Sequence, residues 1–98
     1  MAMLHIIRSS GFTSNALTQC LSISSAQDSI LLMDDGCYNL RHPLLLEAQI
    51  KHPGIPVYYI SLHASARAQS PTNDAFTSTT LAEVLPLIFN HDNSITWS

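Results

Sequence analysis

The chain has 98 residues and a mass of 10.8 kDa, which fits one domain over residues 1–98 and leaves no length for a second. Hydrophobic residues make up 46%, which excludes a disordered chain, while charged residues make up 11%, against about 25% in ordinary soluble domains. Four Lys+Arg against seven Asp+Glu give a net charge of −3, and the four cations stand singly, which argues against direct nucleic-acid binding.

The first apolar run, Met3 to Ile7, is rich in branched residues and stops at Ser9-Ser10-Gly11, so it reads as a strand. Met1-Ala2 before it reads as an extension. Ser14 or Asn15 caps a helix whose apolar positions Ala16, Leu17, Cys20, Leu21 and Ile23 recur at helical spacing. Asp28 to Met33 is a continuous apolar run, as expected of a strand buried on both faces, and it ends at Asp34-Asp35-Gly36, where glycine supplies the turn conformation. A loop or short helix, Cys37 to Leu40, precedes a second helix from Pro43 to Ile50, stopped by Pro53-Gly54. Ile55 to Ile60 is the next strand, with Pro56 admissible only near its beginning or on an edge. Leu62 to Ala68 reads as a short helical turn, residues 69–74 as a polar connection, and Ala75 to Ser78 as a brief fourth strand. Thr80 caps a helix over Leu81–Phe89 that Pro86 should bend or end, and Ser94 to Trp97 alternates as a terminal strand.

Strands alternating with helices imply right-handed crossovers and an α/β fold. The expected architecture is a single-domain, Rossmann-like three-layer sandwich with a mainly parallel sheet of four to five strands. Function in such sheets gathers at the carboxyl ends of the strands, here Arg8–Gly11, Asp34–Cys37 and Ser61–His63.

No self-sufficient active site emerges. Cys20, in mid-helix beside Leu17 and Leu21, is either a small buried hydrophobe or a thiol that carries sulfur. Cys37 lies after a turn near a helix start, which favours thiolate, while Asp34 and Asp35 oppose it. Asp34-Asp35 reads as a solvated turn rather than an acid/base pair. The five histidines show no metal-ligand spacing, and His5 within a strand reads as a hydrogen-bonded core residue. Without such spacing no metal is expected, and three glycines cannot build a phosphate loop, so no nucleotide cofactor is expected either. Tyr58 and Tyr59 point to opposite faces of their strand, and Trp97 docks on its own sheet or on a neighbouring subunit. No apolar run reaches the length of a membrane span and the start lacks a secretory leader's pattern, so a cytoplasmic protein with free thiols is expected. The charge deficit has two readings, a surface covered by other protein or compositional drift.

Taken together, several segments resemble the TusB/DsrH family of sulfur-relay subunits. These are Met3-Leu-His-Ile6 followed by Arg8-Ser-Ser-Gly-Phe12, Asn15-Ala-Leu-Thr-Gln-Cys-Leu21, Ser29-Ile-Leu-Leu-Met-Asp-Asp-Gly36, Ile55-Pro-Val-Tyr-Tyr-Ile60 and Thr96-Trp97. The likeness covers nearly the whole chain and places Cys20 on the helix that carries the cysteine of DsrH-type members. Gly11 departs from a common proline, and Asp74 to Ser78 is less apolar than the family's fourth strand.

The resemblance implies a DsrE-like fold and assembly with TusC- and TusD-like homologues into a two-fold hexamer. Such a complex passes persulfide sulfur toward 2-thiolation of the tRNA wobble uridine, with this chain as a structural, non-catalytic accessory subunit. The alternatives are a DsrH-like subunit of dissimilatory sulfur metabolism or a stand-alone sulfurtransferase that uses Cys20. A third is a self-associating oligomer that needs no partner.

Overall fold

Five short segments form one sheet in the computed structural model, which describes residues 2–71 and 74–98. Met1 of the expected extension, and Thr72 and Asn73 of the expected polar connection, lie outside the described residues. The strands are β1 (Met3–Ile7), β2 (Ser29–Leu32), β3 (Val57–Ile60), β4 (Phe76–Thr79) and β5 (Asn93–Trp97). Their order is β4-β3-β2-β1-β5 and every neighbouring pair is parallel, so the sheet is all-parallel rather than mainly so. All four residues of β2 are buried, as its continuous apolar run requires. The edge strand β4 buries only Phe76 and Thr79 and turns Thr77 and Ser78 outward.

Four helices fill the crossovers: α1 (Ala16–Ile23), α2 (Pro43–Lys51), α3 (Ser61–Ala66) and α4 (Leu81–Phe89), with a 3-10 helix over Asp34–Arg41. The first three crossovers move the chain from β1 to β4 in one direction, and the last carries it back across the sheet to the far side of β1. With one handedness throughout, that reversal puts α4 on the opposite face from the other helices. The two cores follow this division. Ile7, Leu17, Cys20, Ile30, Leu32, Leu40, Leu45 and Val57 pack under the first group of helices. Leu4, Ile6, Leu31 and Ile60 pack under α4, through Val84, Leu87 and Ile88. Tyr59 joins the first core and Tyr58 the second, as adjacent strand residues must. The accessible surface is 5378 Å², close to the roughly 5,500 Å² that surface scaling gives for this mass.

Buried polar groups hold the ends of the sheet. His5 Nε2 lies 2.8 Å from Asp28 Oδ2, and Trp97 Nε1 donates to His5 Nδ1 at 3.2 Å, so Trp97 docks on its own sheet. Asp28, which the sequence places within the strand, precedes it and also accepts from Met3 N, Ser25 N and Ser25 Oγ. His91 ties the end of α4 to β2: its Nδ1 lies 2.8 Å from the Leu87 carbonyl and its Nε2 2.9 Å from Ser29 Oγ.

Two local expectations need correction. The turn after β2 is a 3-10 helix whose positive φ of 50° falls on Asp34, not on Gly36. Gly36 is required for a different reason: a Cβ there would overlap the backbone of Ile7. Helix α4 runs through Pro86 to Phe89 without ending; Ala82 and Pro86 are both exposed, so water can satisfy the carbonyl that proline leaves unbonded.

Candidate functional site

The carboxyl ends of β1, β2 and β3 bring Arg8, Asp34 and His63 together, as the topology requires. Arg8 Nε donates to Asp34 Oδ2 at 2.8 Å, and Asp34 N donates to His63 Nδ1 at 3.0 Å. Asp34 Oδ1 also lies 3.6 Å from the same ring nitrogen. A nitrogen that accepts a backbone N–H carries no proton there, so the contact is not an ion pair. Next to this group, Arg67 Nε donates to Asp35 Oδ1 at 2.9 Å and Arg67 Nη1 to the His63 carbonyl at 3.3 Å. The two carboxylates are each engaged by a separate arginine and stay open to solvent, a solvated turn rather than an acid/base pair. They converge on no common point, and among the described residues no group of three or more His, Cys, Asp or Glu could hold a metal.

Beside this corner, the loop after β1 is locked by fully buried Asn39. Asn39 Oδ1 accepts from Gly11 N at 2.7 Å and its Nδ2 donates to the Ser9 carbonyl at 3.0 Å. The sequence assigned Asn39 no role, because the partners lie 28 and 30 residues away in the chain.

Neither cysteine reaches solvent; both side chains belong to residues at 0% exposure. Cys20 sits in α1 with Sγ 3.8 Å from Ser24 Oγ. That hydroxyl donates to the Cys20 carbonyl at 2.8 Å, which leaves the thiol as donor to Ser24 Oγ. Burial pushes the Cys20 thiol up to about 11; the Ser24 contact opposes this and the Asp28 charge adds to it. Cys37 lies in the 3-10 helix, with Sγ 3.7 Å from the Leu32 carbonyl and 3.9 Å from that of Ile60. Burial pushes it to about 11 as well, and the effect of Asp34 and Asp35 expected from sequence is present but smaller. Both groups are protonated thiols at neutral pH, and neither is presented at the surface of the folded chain.

What the chain does present is α4. Its sequence, Leu81-Ala-Glu-Val-Leu-Pro-Leu-Ile-Phe89, carries one charge and buries no residue fully. Val84, Leu87 and Ile88 face the sheet, while Leu81, Leu85 and Phe89 are 52%, 58% and 76% exposed. Those three positions are four residues apart, so they form one continuous outer stripe. A helix apolar on every side is normally buried. The sequence carried this signal in the near absence of charge from the segment, but periodicity alone marks only the sheet-facing side. Among the described residues no helix is long and apolar enough to cross a membrane.

Comparisons with known proteins agree with this architecture. The structure of ychN protein from E. coli superposes with a TM-score of 0.77 at 17% identity, covering 99% of this chain and all of that one. The solution structure of protein Tm0979 from Thermotoga maritima gives a TM-score of 0.59 at 20% identity, over 92% of this chain and 93% of that one. At these identities the likeness shows the fold. No curated protein matches the chain. The family model described as DsrH like protein matches residues 9–94, from the loop after β1 into β5. The resemblance read from the sequence is thus borne out, and the chain belongs to the DsrH-like protein family.

Proposed function

We propose that the protein is an interface subunit of a TusBCD-like sulfur-relay complex, which passes persulfide sulfur toward 2-thiolation of the tRNA wobble uridine. The observation that carries this reading is the outer stripe of α4: Leu81, Leu85 and Phe89 stand in water on a helix with one charge. Leaving three large apolar side chains exposed forfeits about 1.5–3 kcal/mol for each that a neighbour could bury. Membership of the DsrH-like family supports sulfur relay as the setting, and homologous TusC- and TusD-like chains as the neighbours. The work is cytoplasmic in this reading, and the subunit contributes surface and shape rather than a reacting group, which agrees with two thiols held protonated in the core.

Mass measurement on this chain mixed with TusC- and TusD-like homologues tests the proposal. A two-fold hexamer is expected with the natural sequence and none with Leu85→Asp/Phe89→Asp. Failure of the natural chain to join two folded partners overturns it. The family match also supports a second reading, a DsrH-like subunit of dissimilatory sulfur metabolism, and for that reading we propose Cys20 as the sulfur carrier. Persulfide labelling of the assembled complex, with Cys20→Ser as control, separates the two: label on Cys20 supports the second reading.

A further inference from the structure

The hydrogen-bonded chain Trp97–His5–Asp28, buried at His5 and Asp28 and half-buried at Trp97, links the outermost strand on one side of the sheet to its centre, and it takes no part in the proposed interface. Trp97 Nε1 has only a proton to offer, so the 3.2 Å bond requires an unprotonated His5 Nδ1. The proton of the neutral ring then sits on Nε2 and is donated to Asp28 Oδ2 at 2.8 Å. His5 is 1% exposed, and its ring stacks on the indole with centroids 6.2 Å apart. Asp28 is fully engaged by His5, Met3 N, Ser25 N and Ser25 Oγ, and it keeps these bonds whichever form the imidazole takes.

Addition of one proton changes only one side of this arrangement. An imidazolium donates from both nitrogens. Its Nε2–H still points at the Asp28 carboxylate, now as an ion pair, and that pair fixes the ring in place. Its Nδ1–H meets the indole N–H donor head-on, so the bond to Trp97 is lost. The ionisable groups around His5 do not offer the indole a substitute. From the start of β2 comes Asp28, already engaged; from α1 the neutral Cys20 thiol lies in the same core; from β5 comes only Trp97 itself. Arg8, the residue after β1, is held by Asp34 at the exposed end of the strand. β5 is an edge strand with no fully buried residue, so the indole is a substantial part of what seats its carboxyl end, together with the bond from Arg8 N to the Trp97 carbonyl at 2.9 Å.

We propose that Trp97, His5 and Asp28 form an acid-sensitive latch: a proton taken from solvent onto His5 Nδ1 releases the Trp97 indole and loosens the carboxyl end of β5 from β1. The latch is closed when His5 is neutral and open when it is an imidazolium held by Asp28. Its consequence is local. The free edge of β1 becomes available for pairing while the remaining four strands stay in register.

Trp97 is the only tryptophan of the chain, so its indole N–H gives a single resonance that can be followed on the full protein from pH 8 to pH 5. The expected result is a reversible shift of that resonance and a loss of at least about tenfold in its protection from exchange. Both should appear together with the second ring proton on His5, with β2 and β3 amides still protected. His5→Gln, which keeps an acceptor and a donor without titrating, should abolish the transition. Should that variant not fold, Trp97→Phe serves instead, by removing the pH dependence of β5 amide protection. The proposal is overturned by an indole signal that stays constant over the range, by the same transition in either variant, or by a change that coincides with global unfolding.

Discussion

Gly36 and Ile7 approach so closely that a Cβ on Gly36 would overlap the Ile7 carbonyl oxygen and lie 2.8 Å from its carbonyl carbon. The obstacle is backbone of the central strand β1, held by the bond from Met33 N to the same oxygen at 3.1 Å, so no side chain can swing aside. Gly36→Ala must therefore displace the 3-10 helix and the Asp34 corner with it. A loss of at least about 3 kcal/mol is expected, the upper end of overpacking costs. For a chain of this size that lowers Tm by roughly 12–24 °C. A thermal melt within about 4 °C of the natural protein, on the same scale, contradicts the close approach.

How far the sequence disclosed this corner depends on which interactions are local. The uninterrupted apolar run of β2 and the alternation in β5 identified strands because burial on two faces or one leaves that pattern in consecutive residues. The helices followed from spacing and from Pro43 at the first position of α2. The need for glycine at 36 was visible, but its reason was not, since Ile7 lies in another strand. The same holds for Asn39 and for the pairing of Asp34 and Asp35 with Arg8 and Arg67, all of which depend on strand order. Cys20 had two readings because helical spacing next to leucines describes a core thiol and a thiol at the rim of a core equally well; only packing distinguishes them.

The two buried thiols predict slow chemistry. A thiol pushed from 9.0 to about 11 exposes roughly 100-fold less thiolate at pH 8, before any steric protection is counted. Alkylation by iodoacetamide at pH 8 should accordingly modify Cys20 and Cys37 at least about 100-fold more slowly in the folded than in the unfolded chain. The linkage has a definite sign. Each thiol binds its proton more tightly when folded, so its contribution to stability is complete below pH 9.0 and is lost as pH rises toward about 11. Denaturation midpoints should fall over that interval in the natural protein and fall less in Cys20→Ala. Equal labelling of folded and unfolded protein at pH 8 contradicts this account.

Asp28 governs the acid side. Burial pushes its carboxyl up, but hydrogen bonds from His5, from the Ser25 and Met3 amides and from the Ser25 hydroxyl together outweigh burial and hold it below its ordinary value of 3.8. A lowered carboxyl contributes stability above its unfolded pKa and loses it as pH falls through the folded one, so this contribution is intact at pH 5 and disappears below about pH 4. Asp28→Asn keeps the shape and puts an N–H where an acceptor is needed. The expected cost is about 2–4 kcal/mol at pH 7, from a buried donor left without its partner. The difference from the natural protein should shrink as pH falls below about 4. Urea titrations at pH 7 and pH 3 measure both; a difference independent of pH contradicts the role of the charge.

Pro86 offers a test in the opposite direction. It is the sixth of nine residues in α4, where it withholds an N–H from the Ala82 carbonyl and crowds the preceding turn. An interior proline costs a helix about 3 kcal/mol relative to alanine, offset by up to about 1 kcal/mol because it also restricts the unfolded chain. Pro86 is exposed, so replacing it removes little packing, and Asn90 N still bonds to the carbonyl at position 86. Pro86→Ala should therefore stabilise the protein by roughly 2–3 kcal/mol and raise Tm by about 8–24 °C. It should also leave Leu81, Leu85 and Phe89 on one stripe, since the helix already runs through this position without a break. An unchanged or lower Tm means that the sheet below α4 has selected the proline geometry, and that straightening the helix costs Val84, Leu87 or Ile88 contacts beneath it.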